Sequence, residues 1–221
     1  LNTETKMRSS EILKQSCIDD WNAATNHSFC SELASGKLPE HKMQLYLAQD
    51  YTFIDNFVRL AGSAIHHAPS LPDRLPLAQF LGVISGPENT YFQRSFEALN
   101  LPVKDRVSPD LLPSTVAFQS LMLEAANSGF YGSMIAVLCV AEWSYLTWAT
   151  PFAPTPVALP FYFGEWITLH SGDYFESVVE HLRVQLDTAY DSGNDDQKKS
   201  ISHYFKKAVS LEKSFFDAAY C

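Results

Sequence analysis

Met134-Ile-Ala-Val-Leu-Cys-Val-Ala-Glu142-Trp-Ser-Tyr145-Leu-Thr-Trp148 reads as helix and holds a single charged residue, Glu142, in about four turns. An ionised carboxylate in such a setting is costly to bury unless it is paired, hydrogen-bonded or neutralised. Glu142 is therefore either a satisfied structural acid or a catalytic one. Elsewhere too, long segments show apolar residues recurring at three and four, and strict alternation bounded by turn signals is absent. The expected fold class is all-α.

Helices are predicted at 6–26, 28–35, 39–67, 74–84, 87–99, 113–128, 130–150, 172–191 and 195–219. The chain has 9 glycines, and ten of its 12 prolines gather in three stretches, Pro69 to Pro76, Pro102 to Pro113 and Pro151 to Pro160, which read as connections between helices. Ser35-Gly36-Lys37-Leu38-Pro39 is a stop followed by a start, because glycine suits a helix C-terminus and proline tolerates the next N-terminus. The 221 residues, 46% of them hydrophobic, suffice for one domain with a sizeable core spanning 1–221, with 1–9 as a candidate flexible N-terminal segment.

Charge excludes some functions. A formal net of -9, from 25 acidic and 16 basic residues with no long basic run, argues against nucleic-acid binding. The first twenty residues lack the apolar region of a signal peptide, and no stretch is long and apolar enough to cross a bilayer, so a soluble cytoplasmic protein is expected. Cys17, Cys30, Cys139 and Cys221 are scattered, with no C-x-x-C pair and no histidine at ligand spacing, so no metal is expected and no disulfide framework is indicated.

Two further acids stand in aromatic company. Asp50, Phe53 and Phe57 share one helical face at spacings of three and four, and Glu212 has Phe215 and Phe216 at the same spacings. Taken singly, Asp50 reads as a helix-to-helix hydrogen bond and Glu212 as part of a solvated face. Together with Glu142, which has Trp143 and Tyr145 beside it, they would give a bundle one pocket with flat walls and acidic anchors. A planar, nitrogen-rich heterocycle such as an aminopyrimidine suits that pocket. A carboxylate accepts from a ring amino group, and a carboxylic acid with a raised pKa donates to a ring nitrogen.

The order of several local motifs resembles the TenA (thiaminase II) family of thiamin-salvage proteins over roughly residues 10 to 220. These are Asn26-His27-Ser-Phe29 leading to Ser35-Gly36-Lys-Leu-Pro39, then Tyr46-Leu-Ala-Gln49-Asp50-Tyr-Thr-Phe53, then Pro87-Glu88-Asn-Thr-Tyr91. The series continues with Glu142-Trp-Ser-Tyr145, Ser171-Gly172-Asp173-Tyr174-Phe175 and Leu211-Glu212-Lys-Ser-Phe215-Phe216. The resemblance implies a haem-oxygenase-like helical bundle, a homodimer or homotetramer, and no cofactor. At the position of Glu142 one branch of the family has a nucleophilic cysteine, and this chain looks like the branch in which glutamate replaces it. Cys139, three residues earlier, would be the nucleophile only if that register were wrong.

By position, the resemblance implies that Asp50 holds the 4-amino group of an aminopyrimidine, Glu212 meets a ring nitrogen, Phe53 and Phe215 sandwich the ring, and Tyr145 orients a carboxylate. His170 stands where the family has a tyrosine, and Val116 or Phe118 replaces others. The implied reaction is hydrolytic removal of the amine, or formylamine, from 4-amino-5-aminomethyl-2-methylpyrimidine, with Glu142 as general acid and then general base. Two alternatives are a pyrimidine-binding regulatory protein without turnover and a haem-oxygenase-like oxidoreductase with His27 as axial ligand. His41, His66, His67 and His203 read as surface residues, and His181 as lying on an exposed helical face.

Overall fold

A computed structural model describes residues 7–154 and 158–221. Among them there is no strand, and the helices are α1 (Ser9–Gln15), α2 (Ile18–Thr25), α3 (Ser28–Ala34), α4 (Glu40–His67), α5 (Leu71–Val83) and α6 (Asn89–Ala98). There follow α7 (Val103–Val107), α8 (Pro113–Asn127), α9 (Tyr131–Ala149), α10 (Phe161–Leu169), α11 (Gly172–Ser192) and α12 (Asp195–Tyr220).

Helix α9 is the axis of the molecule. Every residue from Gly132 to Tyr145 is buried, so it has no solvent face, and α2, α4, α8, α11 and α12 pack around it. Close approach of α12 depends on Gly132, where a Cβ would lie 2.7 Å from Phe130 Cζ and 2.9 Å from Ile201 Cδ1. Local signals set many of the ends. Gly36, at φ +70°, closes α3 in a Schellman turn, in which Gly36 N–H donates to Leu33 O at 3.1 Å and Lys37 N–H to Glu32 O at 2.8 Å. A capping box of Asn194 and Gln197 opens α12.

The predicted helix over 6–26 is two helices. Ser16 turns its hydroxyl onto the Leu13 carbonyl at 2.6 Å and Cys17 leaves helical geometry at φ −140°, ψ 36°, so α2 starts afresh with Asp19 and Asp20 in its first turn. Of the expected flexible stretch 1–9, residues 1–6 lie outside the described residues, but Arg8 is anchored to α11, with Nε 2.6 Å from Asp187 and Nη1 2.7 Å from Glu180. His181, expected on an exposed face, is half-buried beside Asp73.

The proline clusters correct a second expectation, since they hold helix as well as connection. Pro72 occupies the first turn of α5, where no N–H is needed, and Pro76 costs only the bond to the Pro72 carbonyl. Pro87 lies within a π-helical turn, Ile84–Glu88, which joins α5 to α6 without a break. Likewise α7 follows Pro102, and α10 follows Pro160 as a nine-residue helix, apolar almost throughout, that offered no periodicity to read.

Gln49, 1% exposed on α4, ties the pocket's α8 wall in place. Its Oε1 accepts from Leu112 N–H at 2.9 Å and Thr115 Oγ1 at 2.7 Å, and its Nε2 donates to Asp110 O at 3.1 Å. Gln49→Ala strands the buried Thr115 hydroxyl and the half-buried Leu112 N–H and is expected to cost about 1–3 kcal/mol. Urea unfolding should show a lower midpoint at unchanged slope, and an unchanged midpoint contradicts this account.

Candidate active site

One cavity, with about 40 Å³ of free volume, lies between α4, the α5–α6 run, α8, α9, α10 and α12. Helix α4 turns one face to it, Asp50, Phe53, Ile54 and Phe57 at spacings of three and four, and α9 contributes Ala141, Glu142 and Tyr145. Helix α12 supplies Glu212 and Phe215, α8 supplies Phe118, and α10 brings Trp166 and its C-terminal His170. All seven residues singled out by the motifs, Asp50, Phe53, Glu142, Tyr145, His170, Glu212 and Phe215, therefore line a single cavity. Glu212 is buried rather than solvated, at 2% exposure.

Motif reading assigned no role to several wall residues. Phe80, Ile84 and Glu88 line the cavity at spacings of four, because the π-helical turn takes more residues than an α turn and keeps side chains four apart on one face. The signal available was an acid following Phe80 and Ile84 at a constant interval, obscured by Pro87. Trp166 sits on α10, which was not anticipated.

The electrostatics are one-sided. Asp50, Glu142 and Glu212 are 7%, 9% and 2% exposed, Glu88 is half-buried, and among the described residues no Lys, Arg or His forms an ion pair with any of them. Glu212 Oε1 has no hydrogen-bond partner in the protein. Burial, reinforced by Glu88, holds Asp50 well above the usual carboxylate range against the opposing Tyr46 hydroxyl. Burial with Glu88 and Asp50 does the same for Glu142, and burial with Asp50 and Glu142 for Glu212. Glu88 is pushed up to about 7 by burial.

Two histidines have fixed tautomers. His170 Nδ1 stands 2.8 Å from the Trp166 carbonyl, which can only accept, so Nδ1 carries the proton and Nε2 keeps its lone pair. Burial lowers its pKa to about 4, so at neutral pH it is an uncharged acceptor in the cavity wall. His27 is elsewhere. Its Nδ1 accepts from Phe29 N–H at 3.0 Å as the cap of α3, and its Nε2 meets Asp217 at 3.2 Å, so both nitrogens are engaged and neither is offered to a haem.

The aromatic walls touch one another. Phe53 and Phe215 have ring centroids 6.0 Å apart at 57°, short of the roughly 7 Å that two stacking distances require, so one must swing before a ring enters between them. The Tyr145 hydroxyl shares a hydrogen bond with the Tyr46 hydroxyl at 2.5 Å and meets none of the four acids. Cys139 does not line the cavity; buried among the charges of Arg183, Asp187 and Arg8 on the other side of α9, its thiol is pushed well up.

Fold and cavity together define an all-helical protein with an enclosed, acid-rich and aromatic small-molecule site. The chain belongs to the TENA/THI-4/PQQC family, which it matches over residues 16–221. It is 26% identical over 202 residues to the aminopyrimidine aminohydrolase of Halalkalibacterium halodurans, covering 90% of each chain. To the Helicobacter pylori protein of the same name it is 22% identical over 215 residues, covering 97% of this chain and 99% of that one. The fold is shared with a TenA homologue from Pyrococcus furiosus at a TM-score of 0.84 and 22% identity, across 96% of this chain and 99% of that structure.

Crowded acids make stability depend on pH. A carboxyl whose folded pKa exceeds its unfolded value keeps its proton in the native state after the unfolded chain has released it, so stability falls as pH rises. For Glu88 that contribution is present below about 4.5 and lost as pH climbs through about 7, and the three deeper acids, also raised by burial, act in the same sense. Glu212→Gln is therefore expected to stabilise the ligand-free protein at pH 8, with the gain shrinking toward pH 4.5. Urea unfolding across that range checks it, and a gain independent of pH counts against the mechanism.

Proposed function

We propose that this chain is an aminopyrimidine aminohydrolase acting in thiamin salvage. It cleaves the bond between nitrogen and the C5 methylene of 4-amino-5-aminomethyl-2-methylpyrimidine, or its N-formyl derivative, and leaves hydroxymethylpyrimidine. The observation that carries this reading is the convergence of four carboxyl groups, with no cation among the described residues, on a cavity walled by aromatic rings. Such a cavity has an excess of acceptor oxygens and, among the described residues, no positive charge, and an aminopyrimidine bearing an amine brings both N–H donors and charge to it. The two relatives named aminopyrimidine aminohydrolase, aligned along nearly the whole chain, support the same substrate class.

In this reading Asp50 accepts from the 4-amino group, which raises electron density in the ring. Glu212, kept protonated by its surroundings, donates to a ring nitrogen. Electron density from the 4-amino group expels the amine from the methylene while Glu142, also held protonated, gives its proton to the departing nitrogen. Water then captures the methylene. Phe53 and Phe215 part to hold the ring between them, and His170 Nε2 accepts from a substrate N–H. No covalent enzyme intermediate is required, since glutamate stands where the other family branch carries cysteine.

Glu142→Gln keeps the shape and removes the acid, so kcat should fall by about 10²–10⁴-fold. Cys139→Ser should retain nearly full activity. The assay is formation of hydroxymethylpyrimidine and ammonia from the aminopyrimidine, with thiamin and the N-formyl compound in parallel. Full activity in Glu142→Gln with loss in Cys139→Ser reverses the assignment, and tight binding of hydroxymethylpyrimidine with no turnover of any member favours a regulatory protein instead.

A further inference from the structure

Hydrolysis needs two proton transfers, one to the departing nitrogen and one from the attacking water. Glu142 suits the first, because an acid enclosed in an apolar helix keeps its proton until the leaving group demands it. It suits the second poorly, since the same enclosure makes its carboxylate scarce at rest. Glu88 differs in position and in access. It lies on the π-helical turn at the junction of α5 and α6, half-buried where Glu142 is 9% exposed, and it lines the same cavity. Among the described residues its carboxyl group has no ion-pair or hydrogen-bond partner that would give it a structural duty.

Resting on the aminohydrolase reading, we propose that Glu88 is a further catalytic residue, the general base that takes the proton of the attacking water. The balance closes over one cycle. The C–N bond breaks with its electron pair on nitrogen, which receives the proton of Glu142. A water oxygen forms the new C–O bond, and its proton passes to the Glu88 carboxylate. The site is left with Glu88 protonated and Glu142 ionised, and a transfer from the first to the second restores the start.

The electrostatic order of the groups favours that direction. Glu88 is the strongest like-charge influence on both Glu142 and Asp50, so ionisation of one disfavours ionisation of the others. Its own value near 7 leaves a carboxylate available at neutral pH, whereas burial beside Glu88 and Asp50 favours the protonated form of Glu142, to which the proton returns from Glu88. The titratable groups facing Glu88 are Asp50 on α4, Tyr91 on α6, Glu142 and Tyr145 on α9, His170 after α10 and Glu212 on α12. Neither α5 nor α8 contributes one to the cavity. Of these, the three acids are held well above the carboxylate range, the tyrosines are raised, and His170 is lowered to about 4, so Glu88 is the group placed to titrate near neutrality.

The test is a set of pH–rate profiles on the aminopyrimidine for the parent, Glu88→Gln and Glu88→Ala, with hydroxymethylpyrimidine affinity measured in parallel. The parent should lose activity as pH falls below about 7. In Glu88→Gln kcat should drop by about 10²–10⁴-fold and that limb should vanish, with product affinity changed less than about threefold. Formate should restore part of the rate of Glu88→Ala, where truncation leaves room for it, and none of Glu142→Gln, which keeps a side chain of full size in the way. If the parent is active and Glu88→Gln keeps its rate and its acid limb, or if formate leaves Glu88→Ala unaltered, the role of Glu88 falls and the aminohydrolase reading stands. An inert parent on every aminopyrimidine removes that reading, and Glu88 with it.

Discussion

Carboxyl groups that share a cavity without a counter-ion set the terms for the rest of this molecule. Asp50, Glu142 and Glu212 are each at least nine-tenths buried, and Glu88 stands beside them. Four ionised acids cannot coexist there, because burial and mutual repulsion both favour the protonated form. Cations are kept outside. Arg8 and Arg183 hold Glu180 and Glu11 on the N-terminal side of the bundle, and Lys213 holds Asp217 on the outer part of α12. What the cavity retains is a store of protons and an excess of acceptors, which matches a substrate made of ring nitrogens and amines.

Such a site is held open by the packing around it. Its acids come from three long helices and a π-helical turn, elements that keep side chains in place better than loops do. Gln49 binds the start of α8 to α4, the paired hydroxyls of Tyr46 and Tyr145 link α4 to α9, and the Trp166 carbonyl sets the tautomer of His170. Against this rigid frame, the contact between Phe53 and Phe215 is the part that must yield to a ring. The cost of gathering like charges is met by the core around α9, consistent with active sites being less stable than the scaffold that carries them.

Legibility in the chain followed the range of the forces involved. Helices α3, α4, α8, α9, α11 and α12 lie within a residue or two of their predicted spans, because apolar spacing and caps are local and strong in each. Where packing overrode a local signal, the reading failed. Pro72 and Pro76, read as part of a connection, instead sit in the first turn of α5 and within it, Pro87 falls in the π-helical turn rather than at the start of α6, and α10 was hidden by being apolar on nearly all sides. Glu88 was missed for the same reason, since an acid next to a proline looks like the polar end of a helix until the turn is seen to rotate it inward.

By itself, the sequence determined that this is a helical protein and that Asp50, Glu142 and Glu212 each share a helical stripe with aromatic residues, because side chains three and four apart on a helix are neighbours wherever it lies. Only the tertiary structure decided that these stripes face one cavity, that Glu88 and Trp166 complete it, that Cys139 and His27 look elsewhere, and that no cation of the described residues enters. Convergence is a property of how α4, α9, α10 and α12 cross, and those crossings arise from contacts between residues far apart in the chain, which no local spacing encodes.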